Sequence, residues 1–174
     1  KSHRHVLPEE VRGLTKHVQR AKTVGVFVDA PLDEVNAAAD FCSLDFVQLH
    51  GHESAAYARS VCRPVIKAFR WGDDFSAEEA NDYPAELILL DSFSKGAVGG
   101  TGQRFRWREA AEETARLEKP LLVAGGIASG NVREAEEVFR PYGVDVSGSL
   151  EIEKRKSIEK IREFMAVVQR SEEH

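Results

Sequence analysis

The stretch VGVFVDAPLDEVNAAADFCSLDFVQL, residues 24–49, decides the fold class. It opens with Val24-Gly-Val-Phe-Val28, a short β-branched run with little polar alternation, as expected of a strand covered on both faces. Val35, Ala38, Ala39 and Cys42 then follow the i, i+3, i+4, i+7 spacing of one helix face. Phe46-Val-Gln-Leu49 closes the stretch as a second strand. A strand, an amphipathic helix and a strand in so short a span form a βαβ unit, whose two strands run parallel.

The same rhythm extends in both directions. Val65-Ile66, Leu87 to Leu90, Leu121 to Val123 and Val144 to Val146 are further strand-like runs. Val11, Leu14 and Val18 mark one face of a first helix. Ser76-Ala-Glu-Glu79 is a capping box that opens another. Val132, Ala135, Val138 and Phe139 form one stripe; Ile158, Ile161, Phe164, Met165 and Val168 form the last, with Ser157 at its N-cap. The order is one helix followed by six βα units, which predicts a parallel sheet with helices outside it. An open doubly wound sheet and a (β/α)8 barrel both fit. The glycine fingerprints of nucleotide-binding open sheets do not occur: Gly99-Gly-Thr-Gly102 is not G-x-G-x-x-G, and Gly125-Gly-Ile-Ala-Ser-Gly130 lacks the Lys-Ser/Thr of a P-loop.

A chain of 174 residues is read as one domain, 1–174. With 42% hydrophobic and 30% charged residues and a net charge of −5, it has material for a core and no polyelectrolyte character, so nucleic acid is not an expected partner. No apolar run approaches the roughly 18–20 residues of a membrane span, and no signal-peptide segment leads the chain. Two cysteines, Cys42 and Cys62, are too few for a disulfide framework and read as reduced thiols of a cytoplasmic protein. Residues 1–22 carry six Lys/Arg against two Glu, which fits either an anion site or a solvated helix. Because residue 1 is Lys, the chain is read as starting inside a longer protein.

In parallel α/β folds, chemistry gathers at the carboxyl ends of the strands. The residues ending these runs are Asp29, Gln48 to Gly51, Lys67 to Arg70, Asp91, Gly125-Gly126 and Ser147 to Ser149. Asp91 closes an apolar strand, as either a general acid or a turn or N-cap residue. Gly99-Gly-Thr-Gly102 is either a loop that folds over a ligand or an ordinary turn. Gly125-Gly126 and Ser147-Gly-Ser149 follow consecutive strands; small residues there let backbone N–H groups approach a phosphate, or simply make tight turns. His50-Gly-His52 and His3-Arg-His5 lack companions at metal-site spacing, so no metal is expected and the histidines read as structural or surface groups.

At this point the residues resemble a known family. Val24-Gly-Val-Phe-Val28, Leu44-Asp-Phe-Val-Gln-Leu-His-Gly-His-Glu53, Ile66-Lys-Ala-Phe-Arg70, Leu89-Leu-Asp91, Gly99-Gly-Thr-Gly-Gln-Arg-Phe-Arg-Trp107, Ala124-Gly-Gly126, Asn131-Val132 and Pro141-Tyr-Gly-Val-Asp-Val-Ser147 are similar, in order, to successive motifs of the phosphoribosylanthranilate isomerases. Lys154 to Phe164 resembles the family's closing helix. The resemblance implies a TIM barrel and a cofactor-free isomerase of tryptophan biosynthesis. Its reaction is an Amadori rearrangement of N-(5-phosphoribosyl)anthranilate to 1-(2-carboxyphenylamino)-1-deoxyribulose 5-phosphate. It implies Asp91 as the general acid that protonates the ribose ring oxygen. It implies Arg4 as the grip on the anthranilate carboxylate, whose planar anion suits a guanidinium fork. Gly125, Gly126, Ser147 and Gly148 would hold the phosphate, and Gln48, His50 and Asp145 would line the pocket. The partner is then a small phosphoribosyl substrate, with the complete enzyme a monomer or homodimer.

Three features depart from the family pattern. Nothing matches the first-strand K-I-C-G motif, whose Cys is the general base. The resemblance places Lys1 after the family's second strand, so the expected fold is an incomplete (β/α)8 barrel of six strands, lacking the first two and inactive alone. The strands at Val24 and Val144 then become edges. The phosphate loop reads Ser-Gly-Ser-Leu-Glu151 where Ser-Ser-Gly-Val-Glu is commoner, and Leu7 stands where a Ser cap often precedes the first helix. Alternatives are a non-catalytic phosphate-binding module and a phosphosugar isomerase of histidine biosynthesis. The latter uses paired aspartates and half-barrel repeats, which this sequence does not show.

Overall fold

The computed structural model describes residues 3–72, 74–91 and 101–172. Gly99 and Gly100 of the glycine-rich connection lie outside the described residues, as do Lys1 and the residues immediately following Asp91. The elements run α1 (Pro8–Thr15), β1 (Val24–Phe27), α2 (Leu32–Phe41), β2 (Phe46–Leu49), α3 (Ala55–Arg59), β3 (Val65–Arg70), α4 (Ala77–Asp82), β4 (Leu87–Asp91), α5 (Thr101–Thr114), β5 (Leu121–Ala124), α6 (Val132–Phe139) and β6 (Gly143–Val144). A 3-10 turn (Gly148–Leu150), a hairpin of β7 (Glu151–Ile152) with β8 (Arg155–Lys156), and α7 (Ile158–Glu172) follow. The main sheet has strand order β1-β2-β3-β4-β5-β6, so each strand lies beside its successor. The chain groups into two compact units, Lys1–Ala68 with Asp82–Ile88 and Phe69–Asn81 with Leu89–His174; the division passes through β3 and β4.

In the first unit the register is parallel: Val24, Val26 and Phe27 pair with Phe46, Gln48 and Leu49, and Gln48 and Leu49 pair with Ile66 and Lys67. Alternate residues of a strand face opposite ways. Val47, Leu49 and Val65 pack with Val35, Ala39 and Cys42 of the α2 segment, so these residues mark the helix-covered face. Val26, Gln48 and Ile66 therefore share the opposite face. Helix α2 has Asp33 and Glu34 in its first turn, where they suit the positive end of the helix dipole. It ends without glycine: Ser43 takes φ 53°, and the Leu44 N–H donates to Ala39 O at 2.9 Å, burying Leu44 beneath the turn.

The second unit packs Leu90, Val123 and Leu121 against Trp107, Ala110, Val132, Ala135, Phe139 and Phe164. The α6 stripe expected from sequence is this contact. Arg140 ends the helix at φ 45°, and Pro141 follows. The Ser76 hydroxyl accepts the Glu79 N–H, and that of Ser157 accepts the Lys160 N–H, each at 3.4 Å, so both act as helix caps.

Several expectations need correction. Helix α1 ends at Thr15, so Val18 lies beyond it. Leu14 and Val18 are exposed, and of that face only Val11 reaches the core. Leu7 has no acceptor to offer as a cap; Glu10 reaches back to the Leu7 N–H at 3.1 Å instead. In α7, Phe164 is buried but Ile158 and Met165 are exposed. The last strand-like run pairs over Gly143–Val144 rather than to Val146, with Asp145 N still donating to Val123 O at 2.8 Å. Strand β1 is covered on one face only. Val24, Val26 and Val28 are 41, 59 and 64% exposed. As the end strand of the order it has a neighbour, β2, on one side alone.

Opposite the functional end, Asp45 ties the start of β1 to the start of β2. Its carboxylate accepts the Thr23 N–H at 2.8 Å, the Thr23 hydroxyl at 2.9 Å and Lys22 Nζ at 3.0 Å. The backbone N–H first, then the ammonium and hydroxyl, hold its pKa down to about 2. A lowered folded-state pKa stabilises the fold above the ordinary carboxylate range, and that contribution fades as pH falls toward the folded value. Urea-unfolding midpoints measured from pH 5 down to 2 should therefore fall less steeply for Asp45→Asn than for the parent chain.

Candidate active site

The strand ends of the first unit carry Gln48, His50 and a buried ionic cluster. Gln48 is buried on the face away from the helices. Its amide Nε2 lies 3.1 Å from His50 Nδ1. An amide nitrogen only donates, so Nδ1 accepts, and the neutral imidazole carries its proton on Nε2. The His50 backbone N–H donates to Phe27 O at 2.9 Å, continuing the parallel ladder beyond β2. Arg4 is exposed in a turn before α1.

Behind these residues lies a group that the strand-by-strand reading of the sequence did not assemble. Lys67 Nζ and Glu53 Oε2 are 2.8 Å apart, with side chains 5 and 2% exposed. Glu53 also accepts the Asp29 N–H at 2.9 Å and the Gly51 N–H at 3.0 and 3.2 Å. Burial alone would raise the Glu53 pKa, but the Lys67 ammonium and the backbone N–H groups of Asp29 and of Glu53 itself outweigh it and hold the carboxyl below its usual range. The Tyr83 hydroxyl donates to Glu53 O at 2.9 Å. Burial, and then the Glu53 charge, push its pKa up to about 12. Asp29 takes φ 48°, and its carboxylate accepts the His52 N–H and lies 3.1 Å from His52 Nδ1. These bonds, the backbone one first, lower its pKa. A signal for the cluster was present: a lysine between Ile66 and Ala68 in a buried strand needs a counter-charge.

In the second unit Asp91 is the last residue of β4, and its carbonyl accepts the Trp71 N–H at 2.9 Å. Leu90 packs into the helix-covered core, so Asp91 lies on the other face with Leu89. Among the described residues the next helix begins at Thr101. Gly125 and Gly126 follow β5 with φ of 91° and 75°, a region closed to most side chains. Asn131 fastens this loop, accepting the Ala128 N–H at 2.8 Å and donating to Gly126 O at 3.0 Å. Ser149 Oγ donates to Ile127 O at 2.7 Å, joining the loops after β5 and β6. Ser147 precedes the 3-10 turn that begins at Gly148, and its carbonyl and hydroxyl each accept Lys156 Nζ at 2.9 Å. Asp145 is exposed. The hairpin bearing Lys156 was not anticipated, because its strands are two residues long and polar.

Neither cysteine stands at a strand's carboxyl end. Cys42 is buried at the end of α2, where its Sγ donates to Pro8 O at 3.3 Å and burial raises its pKa. Cys62 is exposed, ahead of the amino end of β3. Among the described residues no group of three His, Cys, Asp or Glu could hold a metal ion, and no helix is long and apolar enough to cross a membrane.

Parallel βα units that carry polar groups at the strand ends are the pattern of an α/β-barrel type of protein. A sequence model of N-(5'-phosphoribosyl)anthranilate isomerase matches residues 1–167. The chain belongs to that family. It is 45% identical over 171 residues to the N-(5'-phosphoribosyl)anthranilate isomerase of Geobacter sp. (strain M21), covering 95% of this chain and 81% of that one. Among solved structures, the Thermotoga maritima phosphoribosyl anthranilate isomerase superposes with a TM-score of 0.84 at 32% identity, covering 97% of this chain and 83% of that one. A phosphoribosyl anthranilate isomerase in complex with reduced 1-(o-carboxyphenylamino)-1-deoxyribulose 5-phosphate gives 0.81 at 30% identity, with 97 and 82% covered.

Gly51 is where the cluster tolerates no side chain. A Cβ there would lie 2.5 Å from Asp29 Cγ and 2.8 Å from its backbone nitrogen, whereas one at Gly72 would meet nothing within 4 Å. Gly51→Ala should cost about 1–3 kcal/mol in urea unfolding, and Gly72→Ala should leave the midpoint unchanged.

Proposed function

We propose that this protein catalyses the isomerisation of N-(5-phosphoribosyl)anthranilate, in the cytoplasm and without a metal or cofactor. The observation that carries the reading is the position of Asp91: a carboxyl ending β4 on the face away from the helix-packed core. In this reading Asp91 donates its proton to the ribose ring oxygen as the bond from that oxygen to C1′ breaks. A base removes the C2′ proton, and the resulting enamine tautomerises to the amino-ketose. One proton enters and one leaves, so the rearrangement is redox-neutral. The general base is not either of these cysteines. The positions of Cys42, buried at the end of α2, and of Cys62, ahead of the amino end of β3, support this; the chain spans 81% of the length of its Geobacter relative.

The phosphate is held by backbone N–H groups of Gly125, Gly126 and Gly148 with Ser147. The positive φ of both first-loop glycines supports this assignment, since it leaves no Cβ between backbone and anion. The 3-10 turn likewise begins with N–H groups that have no partner within the turn itself. Arg4 binds the anthranilate carboxylate, and Gln48, His50 and Asp145 contact the rest of the substrate. With Nδ1 engaged by Gln48, His50 offers an Nε2–H donor.

Fluorescence-monitored turnover tests this reading. The full-length protein should convert phosphoribosylanthranilate, and Asp91→Asn should lower kcat by about 10²–10⁴-fold while leaving inorganic phosphate binding intact. Arg4→Ala should chiefly raise KM, because the carboxylate is present in ground and transition states alike. Residues 1–174 alone should show negligible turnover. Rates near those of the full-length protein would place the base within this chain.

A further inference from the structure

We propose that the buried Lys67–Glu53 pair is a positioning device that holds the His50-Gly51 turn for substrate; this rests on the reading that Gln48 and His50 contact it. Lys67 stands beside Leu49 in the parallel register, on the helix-covered face of β3. An apolar residue would fill that place at lower cost, since a buried ion pair rarely repays its desolvation. What the pair provides is geometry. Lys67 Nζ donates to Gly51 O at 2.7 Å while Glu53 accepts the Gly51 N–H, so one ion pair grips both polar groups of a single residue. The same carboxylate holds the Asp29 N–H at the end of β1. Charged groups make the stronger hydrogen bonds, and here they work out of water.

The gripped residue directly follows His50, and His50 is tied on its other side to Phe27 O through its N–H and to Gln48 through its ring. Displacing the Gly51 peptide therefore turns the His50 imidazole away from Gln48 and changes where Nε2–H points. Tyr83 closes the arrangement: its hydroxyl bonds Glu53 O, and its ring centroid lies 5.6 Å from Lys67 Nζ. Glu53 and Lys67 belong to the first unit and Gly125, Gly126, Ser147 and Gly148 to the second, so the β2 end and phosphate binding are probed with separate ligands.

Calorimetric titration of the full-length protein tests this with two probes, reduced 1-(o-carboxyphenylamino)-1-deoxyribulose 5-phosphate and inorganic phosphate. Lys67→Met and the double variant Glu53→Gln/Lys67→Met should each bind the sugar analogue about tenfold more weakly or worse, with phosphate affinity unchanged. The double variant leaves no unpaired buried charge, so it carries the comparison if Lys67→Met does not fold. Parallel weakening of both probes, or a double variant that binds the analogue as the parent does, would show a merely structural pair and overturn the proposal. A parent protein that binds neither probe overturns the proposed function itself, and one that binds phosphate but not the analogue overturns the substrate reading on which this inference rests.

Discussion

Parallel strands can be joined only by a crossover, and this one constraint organises the molecule. Each crossover returns the chain to the same starting edge, so within a unit successive parallel strands deliver their last residues to one end. In the first unit Gln48 and His50 occupy such positions; in the second, Asp91 ends β4 and the glycine and serine loops follow β5 and β6. The amino ends carry a different kind of residue. Asp45 with Thr23 and Lys22 is a stability clamp of hydrogen bonds and an ion pair.

Within the first unit, the ion pair of Lys67 and Glu53 shows how a strand end is made rigid. A loop stiffened by packing alone would need bulky side chains, which would close the space a substrate needs. A carboxylate can instead gather N–H groups from Asp29 and Gly51 while an ammonium takes the Gly51 carbonyl. The cost is desolvation, and mutual neutralisation together with satisfied hydrogen bonding keeps it bearable. Gly51 fits because Asp29 has come close enough to exclude a Cβ.

In the second unit the loops after β5 and β6 are held by Asn131 and Ser149 through backbone carbonyls, and by the Lys156 ammonium, which bonds the Ser147 carbonyl and hydroxyl and pairs with Glu151 at 2.8 Å. After β6 the chain makes a 3-10 turn that opens on Gly148, with Ser149 next. The Ser149 hydroxyl is spent on Ile127 O, so what this loop can offer a phosphate is its backbone and Ser147.

Hydrophobic periodicity carried the βα rhythm, the helix stripes of α2 and α6, and the caps at Ser76 and Ser157, because these depend on neighbours within a few residues of one another. The motifs around Gln48, Asp91 and Gly125 carried the family for the same reason. Periodicity could not say where α1 stops, nor that Leu14, Val18 and Met165 stay exposed, since an apolar face is buried only if another element reaches it. Nor could it show that Val24, Val26 and Val28 meet water: their cover depends on which strand lies alongside. Glu53 and Lys67 were both visible in the sequence, one in a motif and one in a strand. Only the tertiary structure decided that they are partners, because an ion pair is made by two chain segments meeting in space, and no local pattern records a meeting fourteen residues apart.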